Sequence, residues 1–179
     1  DDGVELGTAT QDAGAIHRHV QSAEKCMGGR KVCLHVGFVA DGGAQVHRVV
    51  RAECRDRGIA VEPIYGGAPI GKQIQNLKNG VHVVVGTPGR VLDHIGRRTF
   101  DTRNVRTFVL DECDEMLSMG FLEDIDRIAS FIPKTRQTLL FSATMPNEVL
   151  RYSKRQMRAP QQIALSTGNI SVAEIHHAY

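Results

Sequence analysis

The fold is decided by the stretch Val109-Leu110-Asp111-Glu112-Cys113-Asp114, in which an apolar run ends in adjacent carboxylates. The run begins at Val105 and predicts a buried strand. Adjacent carboxylates after such a strand are typical of the Mg²⁺ site of a nucleotide-hydrolysing domain, because hard cations take oxygen ligands. The stretch therefore predicts an α/β domain whose chemistry lies where strands end.

The rest of the chain alternates short β-branched runs with helix-length segments, which predicts a parallel sheet with crossover helices. The predicted strands are Lys31–Phe38, Ile59–Ile64, Val81–Val85, Val105–Leu110 and Thr138–Phe141. The predicted helices are Ala13–Met27, Gly43–Arg57, Pro69–Lys78, Arg90–Ile95, Phe121–Phe131 and Asn147–Met157. Helix C-caps are predicted at Gly28-Gly29, Gly58 and Gly80. Because the strands are nearly continuous apolar runs, we expect helices on both faces of a doubly wound sheet.

Length and composition favour one compact domain. The chain has 179 residues, of which 41% are hydrophobic, and a formal net charge of +2, so charge alone does not make it a nucleic-acid binder. We expect the domain to span residues 1–165, with a linker over residues 166–179. No apolar run is long enough to cross a membrane and no secretory leader opens the chain, so a soluble, intracellular protein without a membrane partner is expected, in no particular compartment.

Polar residues follow three of the predicted strands, and parallel strands deliver such loops to one edge of the sheet. Asp111 is placed to hold Mg²⁺ through water, and Glu112 to orient an attacking water. Ser142 and Thr144 are expected to hydrogen-bond across to Asp114. The loop Gly86-Thr87-Pro88-Gly89-Arg90 offers backbone N–H groups and a guanidinium, which suit a phosphodiester backbone.

Four segments resemble motifs of the DEAD-box RNA helicases. Motif II is matched by Asp111-Glu112-Cys113-Asp114 in its DECD spelling, motif III by Ser142-Ala143-Thr144, motif Ib by Thr87-Pro88-Gly89-Arg90, and the GG motif by Tyr65-Gly66-Gly67. The agreement runs from about Tyr65 to Pro160. Cys113 stands where that family has alanine; both residues are small, so this substitution need not impair the site.

The resemblance implies a RecA-like domain of the P-loop NTPase superfamily, the first of two such domains. In that family the first domain binds ATP with Mg²⁺ and one RNA strand, and the second closes over both. The implied catalytic residues are Asp111, Glu112, Asp114, Ser142 and Thr144, with Asp111 as the Mg²⁺ residue if nucleotide binds. The implied RNA-backbone residues are Gly66, Gly67, Thr87, Pro88, Gly89 and Arg90.

Motif I departs from the family pattern. Its positions read Thr8-Ala9-Thr10-Gln11-Asp12-Ala13-Gly14-Ala15, so the nucleotide-binding positions are Thr10, Gly14 and Ala15. Gly14 replaces the lysine that meets the β- and γ-phosphates, and Ala15 replaces the hydroxyl that ligates Mg²⁺. No other glycine cluster followed by Lys-Ser or Lys-Thr occurs in the chain. Motif Ia is degenerate as well, since its positions read Phe38-Val39-Ala40-Asp41-Gly42-Gly43.

Two hypotheses follow. The favoured one is a helicase-like domain that has lost ATP hydrolysis, binds no ATP or Mg²⁺, and serves as an RNA- or protein-binding structural subunit of a ribonucleoprotein. The alternative is the first RecA-like domain of an active ATP-dependent RNA helicase. Intact Asp111, Glu112, Ser142 and Thr144 favour the alternative, and Gly14 with Ala15 favours the loss of hydrolysis.

Three other groups of residues support weaker interpretations. His17, His19 and Cys26 lack a fourth ligand at regular spacing, so zinc is not favoured. The four cysteines show no close pairing and are expected to be reduced thiols. The cluster Arg97, Arg98, Arg103 and Arg106 is either a solvated face or a contact for RNA or ribonucleoprotein.

Overall fold

A computed structural model describes residues 5–8, 32–37, 54 and 58–164 of the chain. Its centre is a seven-stranded parallel sheet in the order β3-β4-β2-β5-β6-β1-β7. The strands are β1 Glu5–Thr8, β2 Val32–Gly37, β3 Val61–Ile64, β4 Val83–Gly86, β5 Val105–Asp111, β6 Gln137–Phe141 and β7 Gln161–Ala164. The expected parallel α/β sheet is confirmed, and because all strands are parallel their carboxyl ends meet at one edge.

The described helices connect these strands. They are α1 Ile70–Asn79, α2 Pro88–Gly96, α3 Cys113–Ser118, α4 Leu122–Phe131 and α5 Asn147–Gln156, with a 3₁₀ turn at Thr102–Asn104. The helices α1, α2, α4 and α5 begin and end within two residues of their predicted bounds. The short helix α3 was not predicted, because six residues directly after a strand carry too little periodicity to be recognised.

The sheet is covered on both faces, as expected. Val84, Phe108 and Leu110 point into one apolar cluster with α2, α4 and α5, and Val109 points into a second cluster that contains Cys54 and Ile59. Alternate residues of β4 and β5 thus enter opposite cores, which explains why these strands read as continuous apolar runs. The central strands are therefore fixed from both sides.

The two predicted glycine caps within the described residues are confirmed. Gly80 caps α1 at φ 89°. Gly58 has φ 67°, and the Ile59 N–H bonds to the Cys54 carbonyl at 3.2 Å, the six-to-one bond of a Schellman turn. Cys54 is itself helical, and the other residues of the helix predicted over 43–57 lie outside the described residues.

Several predictions lie outside the described residues. They include the helix Ala13–Met27, most of Gly43–Arg57, the cap at Gly28-Gly29, and the linker 166–179. The described strands β1 and β7 were not predicted; Gln161, Gln162 and Ile163 of β7 are exposed at the edge of the sheet, where no continuous apolar run is needed. Among the described helices, none has the length and apolar character required to cross a bilayer.

Candidate functional site

The acidic pair lies at the carboxyl end of the central strand β5, as predicted. Asp111 is the last residue of β5, and the next residue, Glu112, adopts left-handed backbone angles of φ 51° and ψ 46°. The Glu112 N–H donates to Asp111 Oδ1 at 3.0 Å, and both residues have further interactions. The left-handed residue turns the chain sharply from strand into α3, so both carboxylates stay at the edge of the sheet.

Hydrogen bonds join this turn to the loop after β6. The Asp114 N–H donates to Ser142 Oγ at 3.1 Å, and the Ser142 hydroxyl donates to the Thr144 carbonyl at 2.6 Å. Thr144 returns two hydrogen bonds to Asp114 Oδ2, from its backbone N–H at 2.8 Å and from Oγ1 at 2.6 Å. The expected bonding of Ser142 and Thr144 to Asp114 is confirmed, and the three residues form one closed circuit.

The circuit favours an ionised Asp114. Burial opposes ionisation of this carboxyl, but the hydrogen bonds from Thr144, with smaller contributions from Ser142 and the backbone of Glu115, outweigh burial and lower the pKa of Asp114 below the usual 3.8. A carboxylate that accepts two charge-assisted bonds holds its partner loop more tightly than a neutral acid would. Asp114 is therefore a fixed negative anchor for the loop after β6.

Cys113 occupies the middle of the acidic turn without reaching solvent. Its side chain is completely buried, and burial, helped by the charge of Asp114, raises the pKa of its thiol to about 12. Such a thiol stays protonated and acts as a small apolar group. The cysteine therefore packs behind the turn, as alanine would, and takes no part in ligation.

The two turns predicted to contact RNA lie side by side at the other half of the same edge. Strand β3 ends at Ile64 beside Gly86, the end of β4, and Thr87 N–H donates to the Ile64 carbonyl at 3.2 Å. A Cβ on Gly86 would lie 2.6 Å from Ile64 Cγ1, so only glycine permits this approach. The exposed pair Gly66 and Gly67 follows β3, and Thr87 caps α2, with Pro88 buried and Gly89 exposed.

Arg90 is held differently from the prediction. The sequence suggested a turn with free backbone N–H groups and a guanidinium directed at a ligand. In the structure Thr87 N–H is already bonded, Pro88 has no N–H, and Arg90 Nη1 donates to the Ala68 carbonyl at 3.2 Å and to Gln73 Oε1 at 3.0 Å. Nη1 of Arg90 therefore makes structural hydrogen bonds. The acceptor on α1, Gln73 Oε1, was not evident from the sequence pattern.

Two buried polar residues in this region were missed in the sequence. Gln73 is 3% exposed and His94 is completely buried, and His94 Nε2 lies 3.0 Å from Gln73 Oε1. Gln73 shares the apolar face of α1 with Ile70 and Leu77, at helical spacing. A polar side chain on an apolar helix face was the available signal, because such a group is buried only with hydrogen-bond partners.

The structure brings the predicted residues together in two groups. Motifs II and III meet at β5 and β6, and the glycine pair meets motif Ib at β3 and β4, with β2 between the groups. Strand β1 pairs with β6, with Gly7 opposite Phe141, so the chain leaves β1 beside motif III. The motif I positions Thr10, Gly14 and Ala15 lie outside the described residues, as do His17, His19 and Cys26. No cluster of three metal-ligating side chains occurs over 58–164 or the shorter described segments.

A concavity of about 540 Å³ lies at the opposite end of β6 from motif III. Gln137 and Thr138, at the start of the strand, line it together with Lys134, Arg136, Arg155 and Arg158. Since Ser142 follows the other end of the same strand, this concavity is separate from the acidic turn.

Comparisons with known proteins agree with this geometry. A family model described as DEAD/DEAH box helicase matches residues 43–152, a range that contains all four recognised motifs and excludes Thr10, Gly14 and Ala15. The chain is 49% identical over 125 residues to the DEAD-box ATP-dependent RNA helicase CshA of Bacillus cereus, and 50% identical over 125 residues to that of Bacillus licheniformis. These alignments cover 70% of this chain and 24% and 26% of the two relatives, so the chain spans about a quarter of their length.

Solved structures show the same fold. A DEAD box protein from Methanococcus jannaschii superposes with a TM-score of 0.84 and 34% identity, covering 93% of this chain and 46% of that one. A hypothetical ATP-dependent RNA helicase from Sulfolobus tokodaii superposes with a TM-score of 0.80 and 28% identity, covering 90% and 48%. The predicted RecA-like α/β fold is confirmed. The chain belongs to the DEAD/DEAH box helicase family.

Proposed function

We propose that this chain is the first RecA-like domain of a DEAD-box ATP-dependent RNA helicase. The observation that carries the proposal is the closed hydrogen-bond circuit of Asp114, Ser142 and Thr144, directly beside Asp111 and Glu112. A circuit of this kind links the loop after β5 to the loop after β6, so a change at one is transmitted to the other. The relatives named as ATP-dependent RNA helicases support the same function. This was the alternative of the two sequence hypotheses, and it fits these findings better than the favoured one.

The acidic turn has the chemistry that a Mg²⁺–nucleotide complex needs from this side of the site. Asp111 and Glu112 supply adjacent carboxylates at a strand end, and hard divalent cations take such oxygen ligands. Asp111 would hold the ion, which when bound neutralises charge on the phosphates. Glu112 would orient water. The left-handed backbone at this residue fixes the direction in which its side chain leaves the main chain.

The second group of loops would hold the RNA backbone. Gly66 and Gly67 expose backbone at the end of β3, and the first turn of α2 offers Gly89 and Arg90 N–H groups that have no partner within the helix. These donors meet phosphate rather than bases, so binding without sequence preference is expected. With aromatic residues at 5% of the chain and no tryptophan, base stacking is not the basis of recognition.

A second candidate function has one specific observation in its favour. Gly14 and Ala15 lack the cation and the hydroxyl of motif I, and with motif I aligned at these positions Asp12 would add a negative charge near the phosphates. Such a chain would bind no ATP or Mg²⁺ and would act as an RNA- or protein-binding subunit of a ribonucleoprotein. The two candidates differ in one measurable property, which is the affinity for nucleotide.

The test is a titration of the 179-residue chain with a fluorescent ATP analogue and Mg²⁺, with and without single-stranded RNA. Binding is the readout, because the family resemblance implies that turnover needs a second domain. The proposal expects saturable binding that depends on Mg²⁺ and weakens in Asp111→Asn, with Glu123→Gln, an exposed carboxylate on α4, as the unchanged control. Binding that appears only in the double variant Gly14→Lys, Ala15→Thr would support the second candidate instead.

A further inference from the structure

Gln73 is the meeting point of three segments near the proposed RNA edge. Its Nε2 donates to the Tyr65 carbonyl at 3.2 Å, and its Oε1 accepts from Arg90 Nη1 at 3.0 Å and lies 3.0 Å from His94 Nε2. One side chain of α1 therefore contacts the start of the glycine turn and two successive turns of α2. At 3% exposure, none of these bonds is exchanged readily for water.

The partners allow one orientation of the amide. Arginine only donates hydrogen bonds, so the oxygen of Gln73 must face Arg90, and the NH₂ group must then face the Tyr65 carbonyl. The same oxygen requires His94 Nε2 to carry a proton. Thr99 Oγ1 lies 2.8 Å from His94 Nδ1 and completes the bonding of the ring. The amide is thus fixed from three directions.

The contact with Gln73 determines which edge of Arg90 is left for a ligand. Among the described residues, the side-chain hydrogen bonds of Arg90 are both made by Nη1, to the Ala68 carbonyl and to Gln73 Oε1. The edge formed by Nε and Nη2 has the two parallel donors that match a pair of phosphate oxygens. The two hydrogen bonds of Nη1 orient this edge and restrict the rotamers of Arg90 before a ligand binds.

We infer that Gln73 is a positioning residue for RNA binding, which sets the Arg90 guanidinium and the glycine turn at fixed positions along one phosphodiester backbone. The inference rests on the proposed function, since it assumes that Gly66, Gly67 and Arg90 meet RNA phosphates. Without Gln73, the two turns are joined at this edge by the bond from Thr87 N–H to the Ile64 carbonyl and by Arg90 itself.

The test compares Gln73→Met with Gln75→Met. Gln75 lies on the same helix, is exposed, and within the described part of the chain its amide bonds only to Asn79, at 3.3 Å, so the second variant controls for the chemistry of the substitution. The affinity of each full chain for a fluorescein-labelled oligouridine is measured by anisotropy between about 50 and 200 mM salt. Arg90→Met and the double variant Gln73→Met, Arg90→Met complete a double-mutant cycle.

We expect Gln73→Met to weaken RNA binding about three- to tenfold and to reduce the slope of log affinity against log salt by about 0.7, the value for one lost phosphate contact on a single strand. The double variant should be weaker than Arg90→Met alone by less than Gln73→Met is weaker than the native chain, because only the glycine turn is then left for Gln73 to position. A merely structural role would lower thermal stability but leave the salt slope unchanged. Gln75→Met should match the native chain in both measurements.

A second variant covers the case in which Gln73→Met does not fold. Gln73→Asn keeps a polar group in the buried site but is too short to reach Tyr65, Arg90 and His94 together, so a smaller loss with the same change in slope is expected. If the folded Gln73 variants bind RNA with native affinity and an unchanged salt slope, or if the effects in the cycle are additive, the inference is overturned while the proposed function stands. If the native chain binds no RNA, the proposed RNA edge fails and the inference fails with it.

Discussion

Asp114 and Thr144 are joined twice, because Asp114 Oδ2 accepts from both the backbone N–H and the hydroxyl of Thr144, at 2.8 Å and 2.6 Å. Two donors from one residue onto one oxygen fix the loop after β6 in distance and in orientation. The loop then cannot move away from the acidic turn without breaking both bonds. These two hydrogen bonds therefore hold motif III against motif II.

Replacing the Thr144 hydroxyl tests the strength of this link. Thr144→Val keeps the backbone N–H bond and the shape of the side chain but loses the bond from Oγ1, so the free energy of unfolding should fall by about 1 kcal/mol. Urea denaturation measures the change. Thr144→Ser retains a hydroxyl and should lose less than the valine variant; equal losses would show that the hydroxyl contributes nothing to the link.

The left-handed backbone of Glu112 predicts a conflict between stability and function. At φ 51° a residue with a Cβ is strained by about 1 kcal/mol or more, and glycine is not. Glu112→Gly should therefore be more stable than Glu112→Ala by about 1 kcal/mol in urea denaturation, although both variants remove the same carboxylate. Equal stability of the two variants would mean that the strain is absent in solution.

Gly86 is needed for close packing between the ends of β3 and β4. In Gly86→Ala the new methyl would lie 2.7 Å from the Ile64 carbonyl oxygen and 2.8 Å from Val91 Cγ2, so we expect a loss of about 1–3 kcal/mol in the free energy of unfolding. Gly71→Ala in α1 is the matched control, because no described atom beyond its chain neighbours and the backbone of its own helix lies within 4 Å of the new methyl. The control should gain about 0.5–1 kcal/mol from helix propensity, and a similar result at position 86 would contradict the packing argument.

Contacts between distant residues were predicted where the topology of the sheet connects them, and were missed where they depend on how two helices pack. The acidic strand end and the bonding of Ser142 and Thr144 to Asp114 were predicted, because the rule that parallel strands end at one edge connects distant residues. The tie between Arg90 and Gln73 was not, since it depends on how α1 packs against α2. Strand β1, four residues long, was missed because it lacks the two-sided apolar pattern of a longer central strand. Local patterns thus predicted the elements and their shared edge, and long-range packing determined which donors remain for ligands.

His94 should make the fold less stable in mild acid. Burial, assisted by the positive charge of Arg90, lowers the pKa of its imidazole below the ordinary value of 6.5. Between 6.5 and the lower folded pKa, the unfolded chain binds a proton that the folded chain does not, so the free energy of unfolding falls as pH decreases through this window. Above it this group has no effect, and within it the loss is at most about 1.4 kcal/mol per pH unit. Urea denaturation of the native chain and of His94→Gln, compared at neutral and mildly acidic pH, isolates the effect, because glutamine keeps a donor near the Nε2 position and cannot titrate. The native chain should lose more stability on acidification than the variant does; an equal loss would assign the pH dependence to other groups.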